Sequence, residues 1–289
     1  MADDDSSRFA DRYWASADGL QLHYRDYPGN GLPVLCLPGL TRNARDFADL
    51  AEWFSASGHR VLCPDFRGRG DSEYAKDAAT YTPAVYRDDV LALLDAEGID
   101  RALFVGTSLG GIVTALVAAH SPDRIAAAVL NDIGPEIEAA GVERIREYVG
   151  SGGSWPTWMH AARALRDEHG DAHPDWDVTG WLAHAKRLMC IGNNGRIAYD
   201  YDMRIAEPFR EPGREGPVDL WPAFEALGGR QLLILRGERS DLLSSATVQA
   251  MLARITGLKA VEVPGVGHPP TLTEPEARAA IAALSERAT

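Results

Sequence analysis

Four short runs, "PVLCLPG" (33–39), "HRVLCPDF" (59–66), "RALFVG" (101–106) and "IAAAVLNDIG" (125–134), are apolar along their strand-forming parts. A strand with one wet face alternates apolar and polar residues. A continuously apolar strand is covered on both faces. Between these runs lie segments of helical apolar spacing: "RDFADLAEWFSASG" (45–58), which ends at a glycine, "TPAVYRDDVLALLDAEGI" (82–99), which opens on Thr-Pro, and "GGIVTALVAAHSP" (110–122). Strand and helix in alternation predict an α/β fold whose mostly parallel sheet carries helices on both faces. Before the first run, "DRYWASADGLQLHYRDYP" (11–28) holds an Ala-Asp-Gly turn between two strand-like arms and reads as a β-hairpin.

The alternation fails between 135 and 225. Five of the seven tryptophans fall there (155, 158, 176, 181 and 221), with helical stretches such as "VERIREYVG" and "TGWLAHAKRLMC" and no convincing buried strand. Strand-then-loop returns in "RQLLILRGERSDLLS" (230–244) and "KAVEVPGVGHPP" (259–270), and "EPEARAAIAALSERA" (274–288) makes a last helix. The expected organisation is a core of 1–134 and 226–289, with 1–8 as a mobile tail, and a helical cap of 135–225 inserted after the sixth strand. An insertion there sits at the strand ends, where ligands bind in open α/β sheets.

Bulk properties exclude several functions. A net charge of −13 opposes nucleic acid and anionic membranes, whose phosphates need clustered Lys and Arg. Three cysteines without regular spacing make neither a disulfide framework nor a zinc site, and Cys36 and Cys63 read as small core residues. The start "MADDDSSR" has neither the basic residues nor the apolar stretch of a signal peptide. No apolar run approaches the roughly 20 residues that span a bilayer. A cytoplasmic location is the expectation; the sequence sets no oligomeric state.

The chemistry centres on Gly106-Thr107-Ser108-Leu109-Gly110, a G-x-S-x-G with a strand before it and a helix after it. A sharp strand-to-helix turn lifts a serine hydroxyl clear of the sheet, and bulky residues two positions away would clash with the adjoining strand and helix. The phosphate-binding alternatives lack support, since neither G-x-G-x-x-G nor the P-loop Lys-Ser/Thr is present. A nucleophilic serine needs a base, and the base needs an orienting acid, in the chain order serine, acid, histidine on this kind of sheet. Of eight histidines, His268 lies in a Gly- and Pro-rich loop directly after an apolar strand; the other seven lack such a position. Asp241, Glu238 and Asp132 are the candidate acids. Asp241 follows its strand by a short loop and is preferred, with Asp132 the main alternative. Two backbone donors would complete the site, the N–H groups of Leu40 and Leu109.

With "LPGL", "DFRGRGDS", "GTSLGG", "RGERSDLL" and "GVGHPP" in this order, the chain resembles the α/β-hydrolase fold superfamily over about 20–285. "NDIGPEIEAAGVERIREYVG" and "IGNNGRIAYDYD" resemble a bacterial group within its serine-nucleophile, esterase- and lactonase-like branch. The resemblance implies Ser108 as nucleophile, Asp241 as acid, His268 as base and Leu40 and Leu109 as oxyanion donors. It also implies structural roles for Asp65 and Arg67 in loops beneath the site. The chain departs from the pattern at Pro38-Gly39, where His-Gly is usual. The implied reaction is ester hydrolysis through an acyl-enzyme, with a small-molecule ester and water as partners and no cofactor or metal. A lactonase, a C–C bond hydrolase and a non-catalytic binding protein are the alternatives. Arg42, Trp155, Trp158, Trp181 and Tyr199 are the candidate pocket residues. On the C–C hydrolase alternative Arg42 or Arg196 would meet a substrate carboxylate; Arg196, Asp200 and Asp202 are otherwise read as fixing the cap.

Overall fold

A computed structural model describes residues 8–210 and 218–288. The tail expected over 1–8 falls almost wholly outside them. The hairpin forms as β1 (Ala10–Ala15) and β2 (Gln21–Tyr27), followed by β3 (Gly31–Leu37), α1 (Ala48–Ala56), β4 (His59–Pro64), α2 (Pro83–Ala96), β5 (Ala102–Thr107), α3 (Leu109–His120) and β6 (Ile125–Asn131). The next segment holds α4 (Ala139–Tyr148), β7 (Ser154–Trp155), α5 (Trp158–His169), α6 (Val178–Leu188), β8 (Met189–Ile191), β9 (Ile197–Tyr199), α7 (Glu207–Arg210) and α8 (Trp221–Glu225). The chain closes with β10 (Gln231–Gly237), α9 (Ser245–Arg254), β11 (Leu258–Val263) and α10 (Pro275–Ala288).

The main sheet has eight strands in the order β1-β2-β4-β3-β5-β6-β10-β11. β2 pairs antiparallel with both β1 and β4; from β4 to β11 every neighbour is parallel. Because side chains alternate across a strand, the continuous apolar runs feed two cores. Leu35, Leu37, Phe104, Ala128 and Ile234 pack on one face with α2, α3 and α8. Val34, Cys36, Val105, Val129 and Leu235 pack on the other with α1 and α10. Cys36 and Cys63 are buried and unpaired, as their apolar settings suggested. The helix starts are also where the sequence puts them: Thr82 caps α2 by accepting the Val85 N–H, with Pro83 at the first helical position.

The insertion differs from its expectation in one respect. A small antiparallel sheet, β7-β9-β8, joins its helices. Strands of two or three residues carry no readable alternation. Their cluster includes Ala161 and Leu165 of α5, Trp181, Ala185 and Leu188 of α6, and Met189 and Ile197.

Candidate active site

Ser108 stands between β5 and α3 with φ 50° and ψ −115°, a strained backbone for a residue with a side chain. The flanking glycines show why the turn can be this sharp. A Cβ on Gly106 would lie 2.5 Å from the Gly110 carbonyl, and one on Gly110 would lie 2.1 Å from the Leu37 oxygen. The Ser108 N–H donates to the Asn131 carbonyl at 3.0 Å, tying the turn to the end of β6.

The serine hydroxyl lies 3.1 Å from His268 Nε2, and His268 Nδ1 lies 2.8 Å from Asp132 Oδ2. Asp132 is fully buried, and its Oδ1 accepts the Gly237 N–H at 2.9 Å. It therefore faces the imidazole with one oxygen while β10 holds the other. This corrects the preferred assignment of the acid. Asp241 makes no bond to His268; it pairs with Arg144 through two contacts, Nε to Oδ2 at 2.5 Å and Nη2 to Oδ1 at 2.9 Å. Both aspartates follow adjacent parallel strands, and the guanidinium from α4 draws Asp241 aside. Burial opposes ionisation of Asp241, but the hydrogen bonds and charge of Arg144 outweigh it and hold the carboxyl below its ordinary range. Glu238 accepts the Gly265 N–H instead.

Leu40 and Leu109 both border the serine. Leu109 opens α3, so its N–H has no partner within the helix. A Cβ on Gly39 would lie 3.8 Å from Ser108 Cβ, which places the Leu40 loop against Ser108. Fully buried Arg69 donates to the Leu40 carbonyl at 2.9 Å and to the Arg67 carbonyl and Tyr86 hydroxyl. Asp65 accepts the Ala44 N–H and meets His23, and Arg67 pairs with Asp89 and Asp18, so both anchor loops as the motif implied.

A cavity of about 70 Å³ lies over Ser108 and His268. Arg42, Arg144, Tyr148, His169, His173 and Tyr199 are among its walls. Two of the five expected pocket residues, Arg42 and Tyr199, thus line it. Trp155, Trp158 and Trp181 do not. Trp181 is buried within the apolar cluster of the insertion, against which Trp158 packs, and Trp155 meets the Tyr199 ring edge-on at 5.4 Å. These indoles belong to the packing of the insertion. Arg196 lies outside the cavity and binds Ser154 across β7 and β9. Asp200 pairs with Arg45, and Asp202 receives the Tyr81 hydroxyl and pairs with Arg204, so both hold the insertion to the core.

Burial, reinforced by the positive charge of Arg42, pushes His169 and His173 down to about 4. At neutral pH both rings are therefore uncharged. Several of these wall residues carried no sequence signal. Arg144 lies on an amphipathic helix among other charges, and His169 and His173 lie in a polar stretch. Asn131, which donates to Thr107 Oγ1 at 3.1 Å and to the Pro270 carbonyl at 2.9 Å, ends an otherwise apolar strand. A polar residue at that point was the only available cue.

Residues 33–275 match the model of the alpha/beta hydrolase fold. The chain belongs to this family and is a hydrolase of that fold. It is 34% identical over 254 residues to the 3-hydroxybutyrate-oligomer hydrolase of Cupriavidus necator, covering 86% of each protein. It is 26% identical over 251 residues to the 2-(acetamidomethylene)succinate hydrolase of Mesorhizobium japonicum, covering 86% of this chain and 85% of that one. The crystal structure of an alpha/beta hydrolase from Novosphingobium aromaticivorans is similar at TM-score 0.92 and 59% identity, covering 97% of this chain and 99% of that one. Among the described residues no helix is long and apolar enough to cross a membrane.

Proposed function

We propose that the protein is a serine-dependent hydrolase of small or medium carboxylic esters, working through an acyl-enzyme with Ser108, His268 and Asp132 as its triad. The observation that carries this reading is the continuous chain of contacts from Ser108 Oγ through His268 to the buried Asp132 carboxylate. His268 Nε2 takes the hydroxyl proton as Ser108 Oγ attacks the ester carbonyl. Asp132 holds the ring so that Nδ1 bears its proton and Nε2 is free to accept one, and it stabilises the imidazolium that forms. The N–H groups of Leu40 and Leu109 receive the developing oxyanion. The imidazolium then returns its proton to the leaving alkoxide. In the second step water gives a proton to His268 as it attacks the acyl carbon, and the imidazolium passes that proton to Ser108 Oγ as the acyl–oxygen bond breaks, releasing the acid and regenerating the free serine. The segment 135–225 serves as a cap, supplying Arg144, Tyr148, His169, His173 and Tyr199 to the cavity wall.

An ester is favoured over other acyl compounds by the relative from Cupriavidus necator. An oligomer of 3-hydroxybutyrate is a chain of carboxylic esters. Hydrolysis of p-nitrophenyl acetate, butyrate and octanoate by the wild type and by Ser108→Ala tests the reading. Turnover that depends on Ser108 and favours the short chains is expected. Equal turnover by the two proteins would overturn it.

A further inference from the structure

The cavity wall is out of keeping with the protein around it. The chain carries a net charge of −13, yet the wall holds two arginines, Arg42 and Arg144, and no carboxylate among the described residues. Each nearby acid already has a partner, two of them these same arginines. Asp46 binds Arg42, Asp241 binds Arg144, Asp132 binds His268, and Glu168 accepts the Tyr199 hydroxyl at 3.0 Å. The two arginines are engaged to different degrees. All three nitrogens of the Arg42 guanidinium have partners, Nε and Nη2 on Asp46 and Nη1 at 3.3 Å from His184 Nε2. In Arg144 only Nε and Nη2 are bound, both to Asp241; Nη1 has no hydrogen-bond partner among the described residues. A bidentate carboxylate behind a planar guanidinium fixes its orientation and leaves the remaining N–H groups to a ligand.

We infer that Arg144, held in place by Asp241, is a specificity residue that receives a carboxylate of the substrate, so that the preferred substrates are esters bearing a free carboxylate near the scissile bond. This rests on the proposed ester hydrolysis and names its substrate class. Arg42 adds to the positive field without offering a free edge. His169 and His173 present neutral rings to the same space and add no charge of either sign. Asp241 thus acts through Arg144 as a positioning residue.

The linear dimer of 3-hydroxybutyrate and its methyl ester test the inference, because they share the internal ester and differ in the terminal charge. Cleavage of that internal bond is followed by chromatography for the wild type, Arg144→Gln, Arg144→Lys and Ser108→Ala. The wild type should prefer the free acid in kcat/KM by about ten-fold or more, chiefly through a lower KM. Arg144→Gln should reduce this ratio about ten-fold, and Arg144→Lys should restore part of it. A wild type without preference for the acid, or a ratio unchanged in Arg144→Gln, would overturn the assignment while Ser108-dependent cleavage of both compounds left the ester reading standing. Loss of rate on both compounds in equal proportion would make Arg144 structural and likewise overturn it. Absence of Ser108-dependent cleavage of either compound would overturn the ester reading, and the carboxylate site with it.

Discussion

Asp132 Oδ2 meets His268 Nδ1 at 2.8 Å across 136 positions of sequence, while Asp241, which follows the neighbouring strand, turns away to Arg144. Replacement of the two aspartates should therefore have unequal effects. Asp132→Asn should lower kcat on p-nitrophenyl butyrate by about 10³- to 10⁴-fold, because an amide does not hold the productive tautomer of the ring. Asp241→Asn should lower it by less than about ten-fold. Steady-state kinetics on both variants, with circular dichroism to confirm folding, decides the matter. The reverse order would restore Asp241 as the acid.

The turn under Ser108 makes a prediction about stability. A methyl group at Gly110 would stand 2.1 Å from the backbone oxygen of Leu37, and backbone cannot step aside as a side-chain tip can. Gly110→Ala should destabilise the fold by about 3 kcal/mol or more, at the upper end of the cost of overpacking a core. Urea unfolding of the variant measures this directly.

Asn131 should matter to rate more than its distance from substrate suggests. Its amide joins the β5 end, through Thr107, to the His268 loop, through Pro270. Asn131→Ala removes both links and is expected to lower kcat by about 10- to 100-fold, since small misplacements of reacting groups are costly. KM should change less. A kcat within two-fold of the wild type would show that the loops hold their places without it.

The depressed histidines predict how stability varies with pH. His169 and His173 fall from 6.5 to about 4 through burial and the charge of Arg42. In the unfolded chain they take up protons near pH 6.5, whereas the native protein resists doing so until about pH 4. The unfolded state then binds more protons, so stability is full above pH 6.5 and declines as pH falls toward 4. Melting temperature and tryptophan fluorescence between pH 7 and 4 should show this decline. His173→Phe, which fills a similar volume without a titrating group, should make the decline shallower, while His169 and His184, also pushed down, keep part of it.

Much of the core and part of the site were legible in the sequence, for reasons that differ residue by residue. The apolar runs around Val34, Leu103 and Val129 have no polar positions to turn toward water, so burial on both faces follows from the pattern itself. Ser108 was legible because its glycines answer a local demand of backbone geometry. His268 could be found because a loop directly after a parallel strand opens at the same edge of the sheet. The acid was assigned to the wrong aspartate: Asp132 and Asp241 both follow strands that end at that edge, and the reading preferred Asp241, whereas Asp132 meets His268. The structure separates them through Arg144, 97 positions from Asp241 in sequence, and local reading contains no such contact. The tryptophans of the insertion failed for another reason. Composition does not say which apolar surface an indole meets: Trp181 is buried in the insertion's own cluster, and half-buried Trp155 and Trp158 pack against it rather than line the cavity. Arg144, one charge among several on α4, had no pattern to mark it.

The end of β6 has a mechanical consequence. Asn131 receives the Ser108 amide on its carbonyl and grips Thr107 and the Pro270 carbonyl with its side chain; Asp132, the next residue, grips His268. Ser108 and His268 are thus both referred to a single dipeptide. When the sheet flexes, the two residues ride together on that common datum. Their separation is then set by a short stiff linkage rather than by the summed errors of several loops.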